Sequence, residues 1–89
     1  MQSRRLPGFI ATFDALPADV QGRAIKAYRL WQTNPEHPSL HFKRVGRNRP
    51  VWSVRIDVHY RALGLARDDT IYWFWIGSHA EYDRLLRNL

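Results

Sequence analysis

From Val51 to Tyr82 the chain alternates apolar and polar positions with a period of two, which predicts three strands in succession. In VWSVRI, Trp52, Val54 and Ile56 point one way, Ser53 and Arg55 the other. In HYRALGL, His59, Arg61, Leu63 and Leu65 share a face opposite Tyr60, Ala62 and Gly64. IYWFWI is apolar on both faces, with Ile71, Trp73 and Trp75 set against Tyr72, Phe74 and Ile76, as in a strand covered on both sides. A sheet with such a strand, and an arginine on each of the other two, has room for a cationic floor beside a hydrophobic core.

Upstream the period lengthens to that of helices. Phe9, Phe13 and Leu16 mark a short helix after Pro7, with Thr12 and Asp14 facing water. Pro17 interrupts it and suits the first turn of the next, where Val20, Ala24, Ala27, Tyr28 and Trp31 define one face as far as Thr33. Asp19 near its start and Lys26 and Arg29 further on complement the helix dipole, and Asn34-Pro35 stops it. Ser39–Val45 predicts a strand with Leu40 and Phe42 inward and His41 and Lys43 outward. Turns follow at Gly46–Pro50, Asp57-Val58 and Arg67–Asp69. Ser78 and Glu81 have the spacing of a capping box, opening a closing helix whose apolar side is Tyr82, Leu85, Leu86 and Leu89. The expectation is an α+β fold: an N-terminal helical hairpin packed on a four-stranded antiparallel sheet, with a short C-terminal helix.

Eighty-nine residues predict one domain, and the 13% aromatic content supplies the bulk that so small a core needs. With no cysteine, neither disulfides nor thiolate metal sites are available, which favours a reducing, cytoplasmic setting. No apolar run is long enough to span a bilayer, and MQSRRLPGF lacks the apolar stretch of a signal peptide. The four histidines show no metal-ligand spacing, so neither metal nor cofactor is expected. Fourteen Lys and Arg against eight Asp and Glu leave a net charge of +6. Six of those cations lie between Lys43 and Arg61 against one acid, Asp57, which points to a polyanionic partner, nucleic acid or acidic protein. Most are arginine, suited to bidentate contact with phosphate or carboxylate.

Two helices, then WSVRI, a short turn, YRAL, an apolar strand and G-S-H-x-x-Y resemble the RelE/ParE superfamily of bacterial toxins over nearly the whole chain. Trp52 to Leu63 is similar to the family's two arginine-bearing strands, and Gly77 to Leu86, GSHAEYDRLL, is similar to the tail of plasmid-stabilisation-type members. The resemblance implies the fold of microbial ribonuclease toxins held inactive by a cognate antitoxin. RelE-like members cut messenger RNA in the ribosomal A site; ParE-like members share the fold and poison DNA gyrase. It also implies roles. Arg55 and Arg61 match strand arginines that contact the scissile phosphate, His79 a catalytic histidine, and Lys43 a basic residue of the first strand. Tyr82 falls near a C-terminal tyrosine, three residues past His79 where many members have four or more. The family's strand before the helices is missing or very short.

RNA cleavage without a metal uses the 2′-hydroxyl as nucleophile, so an enzyme moves two protons and stabilises charge on phosphorus. Imidazole titrates near neutral pH, making His79 the proton-transfer candidate; Arg55 and Arg61 would act as oxyanion-hole donors do. Tyr82 or Tyr60 would stack a base or donate a hydrogen bond. Lys43, Arg44, Arg47 and Arg49 would grip ribosomal or messenger RNA. Bland alternatives stand beside each: His79 as part of a helix cap, Tyr82 as core, His37, His41 and His59 as surface residues. The expected partners are an antitoxin with an acidic amphipathic segment, together with ribosome and message, or alternatively gyrase.

Overall fold

In the computed structural model, which describes Met1–Leu89, the chain runs β1 (Gln2–Arg5), α1 (Pro7–Asp14), α2 (Ala18–Thr33), a 3₁₀ turn (Pro38–Leu40), β2 (Lys43–Arg44), β3 (Val51–Arg55), β4 (Tyr60–Arg67), β5 (Thr70–Ser78) and α3 (His79–Leu86). The strands form one five-stranded sheet in the order β1-β5-β4-β3-β2. The α+β architecture, the helical hairpin, the antiparallel β2–β5 meander and the closing helix agree with the sequence reading.

The strand count does not, because β1 pairs in parallel with β5, Ser3 opposite Ile71 and Arg5 opposite Trp73. QSRR is polar because a short edge strand buries little of itself, so it has no apolar alternation to betray it. The Leu6 N–H then donates to the Trp73 carbonyl at 2.9 Å, and Pro7 begins α1 where its missing N–H costs nothing. Gly8 lets α1 settle on β5, since a Cβ there would stand 3.0 Å from the Phe74 carbonyl. Thr12, expected in water, instead accepts the Ile76 N–H through its hydroxyl and so stitches α1 to β5.

The first strand of the meander is also shorter than expected. Pro38–Leu40 coils into the 3₁₀ turn, and His41 adopts a left-handed φ of 44°, which breaks the extended run and leaves only Lys43–Arg44 paired with β3. Leu40 still reaches the core and Phe42 still packs against it.

The helical hairpin covers one face of the sheet. Trp31 of α2 is the hub, edge-on to Trp73 at 5.4 Å and to Phe42 at 5.8 Å between ring centroids. Such aromatic pairs contribute about 0.5–1.5 kcal/mol each beyond the area they bury. Ala24 and Ala27 bring α2 close to Val54, Ala62 and Ile76. The other face carries a smaller cluster in which Tyr82 of α3 seals Val51 and Leu63, flanked by Trp75 and Leu85.

The two clusters require β5 to change faces partway along. Leu63 pairs with Trp75 but Gly64 with Trp73, so Phe74 is the extra residue of a β-bulge. Strict alternation put Trp73 and Trp75 together and Ile76 opposite them. The bulge instead sends Trp73 and Ile76 to the hairpin side, and Phe74 and Trp75 to the α3 side.

Candidate active site at the β3–β4 turn and the start of α3

The ladder brings Arg55 and Arg61 directly opposite one another, and Arg61 is paired in turn with Gly77 on β5. Directly opposed residues project from the same face, so both guanidinium groups leave the α3 side of the sheet. β5 passes straight into α3 at His79, whose backbone N–H donates to the His59 carbonyl at 2.7 Å. Tyr60 pairs with Ser78 beside it. One end of the sheet therefore collects Arg55, His59, Tyr60, Arg61 and His79, which the sequence separates by up to two dozen positions.

The closing helix starts where it does because Ser78 and Glu81 form the predicted capping box. The Ser78 Oγ accepts the Glu81 N–H at 3.2 Å, and the Glu81 carboxylate accepts from the Ser78 N–H. His79 is thereby fixed as the first helical residue. Its ring meets the Tyr82 ring edge-on, 5.6 Å between centroids. Its Nδ1 lies 3.1 Å from the Asp83 carboxylate one turn on. The ring is thus held by Tyr82 and Asp83, and at about half exposure His79 is still open to a ligand.

Arg61 is anchored by one nitrogen only. Its Nη1 donates to the backbone carbonyls of Asp57 and Tyr60, while Nε and Nη2 make no bond within the protein. Burial disfavours its charged form, and the neighbouring Arg55 adds to that, so its pKa falls below the usual arginine value. Tyr82, Asp57 and Asp83 act in the opposite sense, which places all three within electrostatic reach. Arg55 has no hydrogen-bond or ion-pair partner at all, and an anion between the two guanidiniums would relieve their repulsion.

The turn that sets this geometry is organised by Asp57. Its Oδ1 accepts the N–H groups of His59 and Tyr60 at 2.8 and 3.0 Å, and its Oδ2 accepts from Arg23 of α2 at 2.7 Å. Burial pushes the Asp57 carboxyl up, but these donors outweigh it and hold the group below its ordinary range. A network running Arg23–Asp57–Arg61 thus ties the hairpin to the cationic pair.

The remaining candidates distribute unevenly. Lys43 pairs with Ser53 and so shares the face of Arg55, whereas Arg44, opposite Trp52, lies on the hairpin face, and both are exposed. Arg47 and Arg49 are exposed in the β2–β3 loop, beyond Val51, and about 13 Å of strand separates Val51 from Arg55. They lie at the other end of β3 from Arg55. Tyr82 is 6% exposed and packs against Val51 and Leu63, so its ring is a wall of the core whose edge meets His79. In the sequence Asp57 stands out only as a turn residue and the lone acid among the cations, and Asp83 does not stand out. An acid four residues after a histidine at a helix start is the one signal that would have drawn attention to Asp83. No group of three or more His, Asp or Glu side chains comes together in a way that would hold a metal ion.

Residues 18–84 match the family described as the ParE-like toxin domain. No protein with a curated description matches by sequence. Among solved structures, the fold is similar to a chain of the RelB-RelE antitoxin-toxin complex from Methanococcus jannaschii, with a TM-score of 0.70, 16% identity, and 90% of this chain and 95% of that one covered. It is also similar to the YoeB/ParE toxin from Agrobacterium tumefaciens, with a TM-score of 0.68, 12% identity, and coverage of 89% and 99%. A copper-bound mutant toxin from Helicobacter pylori has a TM-score of 0.63, 21% identity, and coverage of 91% and 97%. No helix of this chain is long and apolar enough to cross a membrane. Family match and fold agree, and the chain belongs to the family of the ParE-like toxin domain.

Proposed function

We propose that this toxin is a metal-independent endoribonuclease that cuts messenger RNA on the ribosome. The carrying observation is that two arginines with unoccupied donors and a half-exposed, oriented histidine lie at one end of the sheet. In the reaction the 2′-oxygen bonds to phosphorus as the bond from phosphorus to the 5′-oxygen breaks. Arg55 and Arg61 would neutralise the charge gathering on the phosphoryl oxygens, and His79 would carry a proton to or from the reacting oxygens. Tyr82 would form the wall against which His79 turns, and Lys43 would extend the positive surface along the entering strand. Arg44, Arg47 and Arg49 would contact RNA away from the scissile bond.

Expression of the chain should arrest translation and leave cut message ends, while His79→Ala combined with Arg61→Ala should be harmless and still folded. If the folded double variant is as toxic as the parent, the nuclease reading is wrong.

A second reading is favoured by the family match, which is to the ParE-like domain: a toxin that binds DNA gyrase and cuts nothing. DNA damage with intact message would select it, and message cleavage in a purified translation extract would eliminate it. Loss of toxicity altogether, leaving a basic binding module of the same fold, would appear as harmless expression without any antitoxin.

In each case the partner is an antitoxin whose acidic, amphipathic segment covers part of the chain, as the RelB-RelE complexes of two archaeal relatives suggest. A cleft of about 230 Å³ between α1, α2 and the sheet, walled by Phe9, Phe13, Tyr28 and Trp31 with Ile10 and Ile25 exposed at its rim, suits an apolar helix face. The antitoxin should raise the melting temperature of the toxin, because a ligand that binds only the folded state stabilises it.

A further inference from the structure

One carboxylate lies beside the oriented imidazole of this site, and nothing in the proposed chemistry has yet used it. Asp83 Oδ2 lies 3.1 Å from His79 Nδ1, and both side chains are about half exposed, so neither is pressed into place by the core. The ring also meets the Tyr82 ring edge-on, and the bond from the His79 N–H to the His59 carbonyl fixes the backbone that carries it. A carboxylate accepts hydrogen bonds and cannot donate them, so the Nδ1 facing it carries the proton. The other ring nitrogen, Nε2, has no partner in the protein.

We infer that Asp83 is a positioning residue: it holds neutral His79 as the Nδ1–H tautomer and leaves Nε2 as the atom through which the proton passes. This rests on the nuclease reading for its catalytic meaning, though the tautomer itself does not. In the neutral state Nε2 then carries the lone pair that takes the proton from the 2′-hydroxyl; in the charged state the same atom delivers one to the 5′-oxygen. A second consequence follows from charge. Asp83 also favours the ionised form of Arg61, so one carboxylate serves both the imidazole and the phosphate-binding guanidinium. The bland alternative is an ordinary i, i+4 surface pair that steadies α3 and nothing more.

Nitrogen-15 spectra of the imidazoles decide between them, read alongside ribosome-dependent cleavage. The parent should show Nδ1 protonated when neutral, and Asp83→Ala should shift His79 toward the Nε2–H form. The same variant should lose about tenfold in kcat, part of the ~10²–10⁴-fold that positioned proton transfer supplies, with KM for message unchanged. Asp83→Glu should restore most of the rate. Glu36→Gln, which removes one charge from the exposed α2–β2 connection, should leave it unchanged. A parent that is already Nε2–H, an Asp83→Ala variant with parental tautomer and kcat, or a loss confined to KM would each overturn the inference. If the parent cuts no message, the nuclease reading fails separately, and the spectra still decide whether Asp83 orients the ring.

Discussion

Arg55 and Arg61 occupy facing positions on β3 and β4, the last pair before the turn, where two like charges stand across a ladder. Like charges directly opposed destabilise a sheet, by an amount on the scale of the ~0.2–1 kcal/mol that cross-strand pairs contribute. A fold that needed only a sheet would gain by replacing either one. Arg55→Gln should therefore leave the melting temperature unchanged or raise it slightly. Cleavage should fall about 10²–10³-fold, the usual loss for one donor aimed at developing charge. Thermal melts and message cleavage on the same preparations test this, and a clear loss of stability would mean that Arg55 serves the fold.

Asp57 behaves oppositely, supporting structure and site together. Replacing it with Ala leaves the N–H groups of His59 and Tyr60 without their acceptor and frees Arg23 from the turn. The expected cost is about 1–3 kcal/mol, with Arg61 less well anchored and cleavage reduced. The pH dependence has a definite sign. The folded-state pKa lies below the ordinary 3.8, so the stabilisation is complete above that value and is lost as the pH falls through the folded-state pKa. Acid titration of stability should show a step below about pH 4 that is smaller in Asp57→Ala; identical profiles would remove Asp57 from this role.

Gly77 lies between the site and the second core cluster. A Cβ there would enter the ring of Trp75, which the bulge at Phe74 has turned to this face. Gly77→Ala should cost about 1–3 kcal/mol as Trp75 is displaced, and should disturb Arg61, its neighbour across the ladder. Near-ultraviolet circular dichroism would report the moved indole and calorimetry the lost stability. An unchanged spectrum with full stability would show that the ring has room to yield.

The sequence carried the meander, the hairpin and the capping box because each has a strong local pattern, and it named Arg55, Arg61 and His79 through a resemblance. What it lacked has physical causes. IYWFWI is apolar at every position, so alternation contains no information on which face each ring takes; α3 folding back over Leu63 settles that, through the bulge at Phe74. β1 is polar because it lies at an edge, and its pairing with β5 depends on residues about 70 positions away. Arg44, Arg47 and Arg49 formed a group only by adjacency. Strand alternation sends Arg44 to the far face, and the β2–β3 loop carries the other two to the opposite end of β3. Asp57 acts through a tertiary neighbour, Arg23, that no local pattern joins to it, and Asp83 follows His79 by four positions on α3, a spacing that ordinary surface pairs share.

Ser78 links the cap of a short helix to the placement of a reactive ring. Its hydroxyl accepts the Glu81 N–H, and without that bond the first turn of α3, which begins with His79, loses its template. Ser78→Ala should cost about 0.5–2 kcal/mol, and fraying should be greatest at His79, the residue next to the lost cap. Cleavage should fall more than the stability change alone explains, because the ring loses its fixed relation to Asp83 and to the paired arginines. Ser78→Thr keeps an oxygen at the same place and should recover both properties. Amide exchange at Glu81 provides the local readout: it should quicken in Ser78→Ala and return in Ser78→Thr. If cleavage tracked global stability only, with exchange at Glu81 unaltered, the cap would be serving the core through Tyr82 and not the imidazole.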